Sequence, residues 1–233
     1  MVHHALLDGV RLAYDVRGPE GAPPLLLLHA LGEDRTDWSE VAPRFAERFR
    51  AVAVDLRGHG DSDRPGTYSH QLMADDVLRL LDHLELAQVS VVGHSLGGGV
   101  AYLLATQHPG RVARLVVEDV APPSPRDRPV PERPAREVPF DWAVVPAIIA
   151  EVNAGDPVTW ERLPSISAPT LVVAGGPESH MPQELLQEVA ARVPECSLVT
   201  IPAGHHVHRA RPGEFAEVVL DWLARTPERG GAS

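Results

Sequence analysis

Six short apolar runs recur along the chain, and they constrain its fold more than any other feature of the sequence. Each is about four residues long and largely apolar on both faces, which is typical of strands covered by helices on each side of a sheet. The runs lie at 25–28, 51–54, 89–92, 115–117, 171–174 and 198–201. Helical patterns separate them, and an Asp8-Gly9 turn indicates an opening hairpin. The sequence therefore predicts an α/β fold, with a mostly parallel central sheet and helices on both faces.

The segment 122–164 interrupts this alternation. Its first half is rich in proline and charge, and its second half, 140–153, has a helical pattern of apolar residues. We interpret it as a small proline-rich cap insertion within a single domain that spans 1–233, since this length suits one domain better than two. Its apolar side chains either wall a mainly apolar substrate pocket or simply pack on the sheet, and both interpretations stay open. The side chains concerned are Phe140, Trp142, Val145 and Ile149.

Composition narrows the classes of function. The formal net charge of −11 argues against a nucleic-acid partner, and it disfavours a strongly anionic substrate unless a local basic patch overrides it. The single cysteine, Cys196, excludes an intrachain disulfide and suits a reducing compartment. The longest apolar run, 25–28, is too short to span a bilayer, and no early segment has the pattern of a signal peptide. We therefore expect a cytoplasmic protein with no membrane partner, which acts on a small molecule as a monomer or homodimer.

The segment Gly93-His94-Ser95-Leu96-Gly97 joins a predicted strand directly to a predicted helix. Glycines two residues before and two after the serine permit a sharp turn with the serine at its apex. Ser95 then lies at a helix N-terminus, where free N–H groups and the helix dipole favour developing negative charge. The pattern indicates a nucleophilic serine, and the structural alternative is an ordinary glycine-rich turn.

Further motifs surround this turn in a characteristic order. They are a strand and loop at 25–32 that contains His29, an Asp-x-Arg-Gly-x-Gly-x-Ser pattern at 55–62, the turn at Ser95, a strand followed by Gly175, and the pair Gly204-His205. Together they resemble the α/β-hydrolase superfamily, in its esterase, bromoperoxidase-like and epoxide-hydrolase-like branch. The resemblance covers nearly the whole chain except the insertion, and it implies a fold and a mechanism more than a substrate. A serine at the turn, where some relatives have aspartate, argues against dehalogenase or epoxide hydrolase chemistry.

The resemblance implies that His205 is the general base for Ser95, because it follows the last predicted strand where the family has its catalytic histidine. His206 and His208 lie close by, and His-His-x-His is also a pattern that metal sites use. No carboxylate or cysteine cluster accompanies these histidines in the sequence. We therefore predict neither a metal nor a cofactor.

Two carboxylates compete for the role of the acid that orients His205. The resemblance places the acid at Glu178, within a Gly-x-x-acid-x-x-x-Pro pattern from Gly175 to Pro182. Asp119 is the alternative, because it follows the run 115–117 and some relatives take the acid from that strand end. We expect Glu178 to be the acid and keep Asp119 open.

By the same resemblance, the backbone N–H groups of Leu31 and Leu96 form an oxyanion hole, although Ala30 stands where a glycine is usual. These features predict a serine hydrolase of the carboxylesterase type. It would cleave an ester-type bond of a small, uncharged and mainly apolar substrate through an acyl-enzyme. The alternatives are a thioesterase or C–C bond hydrolase with the same catalytic residues, and a ligand receptor on this fold that does not turn over its ligand.

Overall fold

Eight strands form one sheet, as seen in a computed structural model that describes residues 1–225. Residues 226–233, for which the sequence predicts a frayed end, lie outside the described residues. The strands are β1 (Val2–Leu7), β2 (Val10–Arg17), β3 (Pro24–Leu28), β4 (Arg50–Val54), β5 (Val89–His94), β6 (Val112–Glu118), β7 (Thr170–Ala174) and β8 (Cys196–Thr200). Their order across the sheet is β1-β2-β4-β3-β5-β6-β7-β8, with only the β1–β2 and β2–β4 pairs antiparallel. The six apolar runs lie in β3 to β8, so the predicted mostly parallel sheet is confirmed.

The opening hairpin is fixed by its two turn residues. Asp8 and Gly9 link β1 to β2 and have φ angles of 49° and 84°. A two-residue turn with positive φ at both positions matches the right-handed twist of the flanking strands. The predicted hairpin at Asp8-Gly9 is therefore confirmed.

Helices cover both faces of the sheet. They are α1 (Ala42–Phe45), α2 (His70–His83), α3 (Leu96–Gln107), α4 (Val144–Ala154), α5 (Pro157–Arg162), α6 (Gln183–Arg192), α7 (Val207–Ala210) and α8 (Pro212–Ala224). Because side chains alternate along a strand, β3 serves two cores. Leu26 and Leu28 pack in the core that includes α2 and α3, whereas Leu25 and Leu27 pack in the core that includes α1 and α8. Among residues 1–225, none of the helices combines the length and the apolar character that crossing a bilayer requires.

The segment between β6 and β7 contains α4 and α5, and the predicted insertion 122–164 falls within it. Asn153 of α4 binds the proline-rich part of this segment. Its carbonyl accepts a hydrogen bond from the Arg126 N–H at 3.3 Å, and its side-chain amide exchanges two hydrogen bonds of 2.8 Å with the Arg128 backbone. The proline-rich part is therefore held by a helix of the same insertion.

A close approach of α3 to β3 depends on a glycine. A Cβ atom at Gly97 would lie 2.2 Å from the carbonyl oxygen of Leu28, far inside van der Waals contact. The Gly97 N–H donates to the carbonyl of His29 at 3.1 Å. Gly97 therefore sets the position of the α3 N-terminus beside the carboxyl end of β3.

We expect Gly97→Ala to lower the free energy of unfolding by about 3 kcal/mol, because the added methyl group would collide with strand backbone. Gly110→Ala is the matched control, since a Cβ atom there would meet nothing within 4 Å. Its free energy of unfolding should change by less than about 0.5 kcal/mol. Urea denaturation measures both changes, and equal stabilities for the two variants would contradict the packing described for α3.

Candidate active site

Ser95 occupies the turn between β5 and α3. Its backbone has φ 49° and ψ −112°, and it precedes the first residue of a helix of 12 residues. A Cβ atom at Gly93 would lie 2.6 Å from the carbonyl oxygen of Gly97, so the turn closes only with a glycine at that position. The structure thus places Ser95 at the apex of a strand–turn–helix, where its sequence pattern predicts it.

His205 lies in the loop between β8 and α7, and Asp119 holds its ring. The distance from His205 Nδ1 to Asp119 Oδ2 is 2.7 Å, with Nδ1–H as the donor to the carboxylate. Asp119 directly follows β6, and its side chain is fully buried. Since Nδ1 is bonded to Asp119, Nε2 is the ring nitrogen left to interact with Ser95, which lines the same cavity as His205.

Asp119 is bound by two further donors. The Gly175 N–H donates to Oδ1 at 2.8 Å, and the Ser179 hydroxyl donates to Oδ2. Burial raises the pKa of Asp119, but the hydrogen bonds from His205, Ser179 and Gly175 outweigh burial and leave this pKa below its ordinary value. Asp119 is therefore ionised at neutral pH and can stabilise a positive charge on His205.

Glu178, the acid preferred from the sequence, does not contact His205. It is exposed in the loop after β7, and within residues 1–225 its carboxylate takes part in no hydrogen bond or ion pair. The preference for Glu178 over Asp119 therefore disagrees with the structure, in which Asp119 is the carboxylate bonded to His205. The side chain of Asp119 already fills the space beside His205, and the loop after β7 contributes Ser179 and the Gly175 N–H to that carboxylate instead.

Ser95 and Asp119 share an uncommon backbone conformation. The part of the chain that the structure describes has four non-glycine residues at positive φ, and these two have values of 49° and 50°. A residue with a Cβ atom holds this conformation only where the surrounding contacts enforce it. Asp8 has a positive φ in an ordinary hairpin turn, but Ser95 combines it with ψ −112°, a strained conformation that favours a functional role over an ordinary glycine-rich turn.

The backbone N–H groups of Leu31 and Leu96, the predicted oxyanion hole, have no hydrogen-bond acceptor within residues 1–225. Both residues line the cavity with Ser95. Unpaired donors are uncommon, since most buried backbone N–H groups have a partner. Leu96 begins α3, where the N–H groups have no acceptor inside the helix. Both donors are thus available to a negative oxygen beside Ser95.

Two buried histidines hold the loop that carries Leu31. His29 Nε2 accepts a hydrogen bond from the Leu56 N–H at 3.0 Å, and His59 Nε2 accepts one from the Gly32 N–H at 3.2 Å. Burial lowers the pKa of both rings, to about 3 for His59. The rings are therefore neutral at neutral pH and can accept these bonds, which fix the path of the loop.

A cavity of about 230 Å³ adjoins Ser95 and His205. Part of its wall is apolar and comes from Val120, Ile148, Val152 and Met181. The rest is polar or charged and includes His70, Arg126, Arg128, His180 and His206. The cavity therefore combines an apolar side with a positively charged one.

Two of the predicted pocket residues, Val145 and Ile149, belong to α4 but do not line this cavity. α4 contributes Ile148 and Val152 to the cavity wall, whereas Val145 and Ile149 are buried outside it. Since each step of one residue turns a helix by about 100°, Val145 is on the same side of α4 as Val152 but about two turns nearer the start of the helix. Ile149 is turned by about 100° from Ile148. The apolar pattern predicted a helix here, but it did not show which part of its apolar surface meets the cavity.

Phe140 and Trp142 also lie outside the cavity wall. The Phe140 ring lies 3.3 Å from where a Cβ atom of Gly32 would be, and it stacks on His59 with ring centroids 5.7 Å apart. Trp142 stacks on Phe140 in turn, at 6.0 Å between centroids. The aromatic pair therefore packs beside the loop that carries Leu31. Of the two interpretations left open for Phe140 and Trp142, the one in which they wall the pocket does not agree with this position.

A buried charge network lies against His94, the residue before Ser95. His208 Nδ1 is 2.8 Å from Glu118 Oε2, and His208 Nε2 is 3.0 Å from Asp37 Oδ1. Burial lowers the pKa of His208, but the two carboxylates outweigh burial and raise this pKa to about 9. His208 is therefore a buried cation between two carboxylates at neutral pH.

His94 connects this network to His205. Its Nε2–H donates to the backbone carbonyl of His205 at 2.8 Å. Burial lowers the pKa of His94 well below its ordinary value, so this ring is neutral. His94 thus binds the His205 backbone and does not line the cavity.

His94, His208 and Asp37 bring potential metal-ligand atoms within 4.8 Å of one another. A metal ligand must offer a lone pair, and His208 at neutral pH carries protons on both ring nitrogens. At neutral pH the set is therefore an ion pair between His208 and Asp37 beside a neutral His94. The His-His-x-His pattern does not converge on one point either, because His205 and His206 line the cavity while His208 meets Glu118.

Sequence reasoning missed three residues that shape the site. Ser179 follows Glu178 directly, and only the bond to Asp119 reveals its role. Arg126 and Arg128 belong to the half of the insertion that the sequence marks only as rich in proline and charge, and nothing in that composition indicates that both line the cavity.

A family model described as the alpha/beta hydrolase fold matches residues 23–147 of this chain. An uncharacterized protein of Mycobacterium tuberculosis is 43% identical over 112 residues, which are 48% of this chain and 32% of that protein. The chain therefore aligns with only about a third of that relative's length. An sn-1-specific diacylglycerol lipase of Mus musculus is 28% identical over 269 aligned positions, covering 95% of this chain and 88% of that protein.

Solved structures share the whole architecture. A hydrolase from Pseudomonas aeruginosa superposes with a TM-score of 0.85 at 27% identity, over 96% of this chain and 98% of that one. An enzyme that degrades N-acyl homoserine lactones, Est816, gives a TM-score of 0.83 at 29% identity, over 94% and 100% of the two chains. Since the family model alone matches more than half of the sequence, the chain belongs to the α/β-hydrolase family.

Proposed function

We propose that this protein is a serine hydrolase that cleaves an ester-type bond of a small molecule through an acyl-enzyme. Ser95 is the nucleophile, His205 the general base and Asp119 the acid. The observation that carries the proposal is the contact of 2.7 Å between His205 Nδ1 and Asp119 Oδ2, in a histidine that shares a cavity with Ser95. This contact selects the tautomer in which Nε2 can accept a proton.

The first half of the reaction forms the acyl-enzyme. A serine hydroxyl is a weak nucleophile near neutral pH, so His205 Nε2 takes its proton as Ser95 Oγ attacks the carbonyl carbon. The ionised Asp119 stabilises the imidazolium that results. The N–H groups of Leu31 and Leu96 stabilise the oxyanion, a contribution of roughly 3–4 kcal/mol per donor in other hydrolases. His205 then protonates the departing alcohol.

The second half releases the acid. Water enters where the alcohol left, gives its proton to His205 Nε2 and attacks the acyl carbon. The same two N–H donors stabilise the second tetrahedral intermediate, and Ser95 leaves with the proton held by His205. One water molecule is consumed in each turnover, and the catalytic groups in both halves all belong to the protein.

The choice of an ester-type bond draws on the relatives described above. One has the name of a diacylglycerol lipase, and Est816 is described as degrading a lactone, so both names refer to ester-type bonds. A thioesterase or a C–C bond hydrolase would use the same three residues, and no contact in the site favours either of them. Turnover also distinguishes the proposal from a ligand receptor on this fold.

Ser95→Ala should abolish hydrolysis of a short 4-nitrophenyl ester, with kcat reduced on the order of a million-fold, because no other group can form the acyl-enzyme. Release of 4-nitrophenol by purified protein measures the change. Ser39→Ala, which changes an exposed serine, is the matched control and should keep full activity. Full activity in Ser95→Ala, with a contaminating esterase excluded, would show that the nucleophile is another residue.

Asp119→Asn should lower kcat by about 10³- to 10⁴-fold, because an amide cannot stabilise the imidazolium and can select the wrong tautomer. Glu178→Gln should leave kcat within about twofold, since this carboxylate is exposed and away from His205. The kcat of each variant is measured per folded molecule, with the folded fraction taken from circular dichroism. A severe loss in Glu178→Gln together with near-normal Asp119→Asn would mean that the loop after β7 supplies the acid.

A further inference from the structure

The charged residues that line the catalytic cavity are of one sign. Arg126 and Arg128 line it together with Ser95 and His205, and none of the aspartates or glutamates within residues 1–225 does. The chain as a whole has a formal net charge of −11, so a cavity free of carboxylates is not what its composition favours. The two arginines form the local basic patch that an anionic substrate requires in so acidic a protein.

Within residues 1–225, Arg126 has no acidic side chain as an ion-pair partner. Its Nε atom is buried and has no hydrogen-bond partner in the part of the chain that the structure describes. Burial lowers the pKa of Arg126, and the like charge of Arg128 lowers it further. Asp127, between the two arginines in sequence, is exposed and lies outside the cavity wall. An anion between the guanidinium groups would satisfy the buried donor and offset the repulsion.

The arginines belong to a built wall of the cavity. Asn153 binds the backbone of both residues, with hydrogen bonds of 3.3 Å to the Arg126 N–H and 2.8 Å to the Arg128 N–H and carbonyl. Asn153 belongs to α4, which also supplies the apolar wall residues Ile148 and Val152. α4 therefore supplies apolar residues of the cavity wall and also holds the segment that carries the two arginines.

We propose that Arg126 and Arg128 bind an anionic oxygen group of the substrate, so that the enzyme cleaves small esters that carry a carboxylate or a phosphate away from the scissile bond. This inference rests on the proposed function, because it concerns the cavity that Ser95 and His205 line. Guanidinium groups bind both oxyanions through paired, charge-assisted hydrogen bonds. The proposed anionic substrate replaces our expectation of an uncharged acyl group.

The cavity volume limits the size of this substrate. The volume of about 230 Å³ is smaller than the roughly 300–1,000 Å³ of pockets that enclose drug-sized ligands. The apolar wall would contact the carbon skeleton between the anion and the ester. A short acyl chain with an anion at its far end suits this volume, whereas a long lipid chain would extend beyond the cavity.

Two esters that differ in a single charge test the inference by turnover. They are 4-nitrophenyl hemiglutarate and 4-nitrophenyl pentanoate, which have acyl chains of equal length. We expect wild type to prefer the charged ester, and the double variant Arg126→Gln/Arg128→Gln to lower the charged-to-neutral ratio of kcat/KM about 10- to 100-fold, mainly through KM. Arg136→Gln is the matched control, since Arg136 is exposed in the same insertion and does not line the cavity. An unchanged ratio in the double variant would overturn the inference.

Binding to Ser95→Ala separates this inference from the proposed function, because binding needs no turnover. Titration calorimetry would compare glutarate, propyl phosphate and the uncharged glutaramide. At least one anion should bind tenfold or more tightly than glutaramide, weaken with added salt and lose that advantage when both arginines are also replaced. The tighter anion identifies the group that the site takes. Equal binding of charged and uncharged ligands would overturn the inference, whereas clear anion binding without ester turnover in wild type would count only against the proposed reaction.

Discussion

The buried carboxylate of Asp119 is the contact on which the rest of the site depends. It follows β6, and it accepts hydrogen bonds from the loop after β7 through Gly175 and Ser179, and from the loop after β8 through His205. The last two loops also touch each other, since a Cβ atom at Gly175 would lie 2.1 Å from the carbonyl oxygen of Gly204. A buried anion without donors would be strongly destabilising, so the ionised Asp119 depends on the convergence of these loops.

A second histidine–carboxylate pair supports the first from within the protein. Glu118, one residue before Asp119, binds His208, which remains protonated at neutral pH between two carboxylates. His94 packs against His208 with ring centroids 5.1 Å apart and donates to the carbonyl of His205. Adjacent residues of one strand end thus serve different purposes. Glu118 anchors a buried cation, and Asp119 faces the histidine beside the cavity.

The fold was predictable because its signals are local. Apolar runs specify buried strands, and Asp8-Gly9 and the glycines around Ser95 specify turns that few other residues permit. The identity of the acid was not predictable. Glu178 and Asp119 both follow a strand at the same sheet edge, and only the path of the loop decides which of them meets His205. The pocket lining was not predictable either, because the apolar residues of α4 extend over several turns and only some of them, Ile148 and Val152, meet the cavity.

The central claim is that His205 and Asp119 activate Ser95 as a nucleophile. Mass spectrometry after reaction with a fluorophosphonate tests it most directly, because the probe forms a stable bond only with an activated serine. The account predicts one adduct per protein molecule, on the peptide that contains Ser95, and a rate of adduct formation that falls at least a hundredfold in Asp119→Asn. An unmodified Ser95 peptide, an adduct on another residue, or an unchanged rate in Asp119→Asn would contradict it.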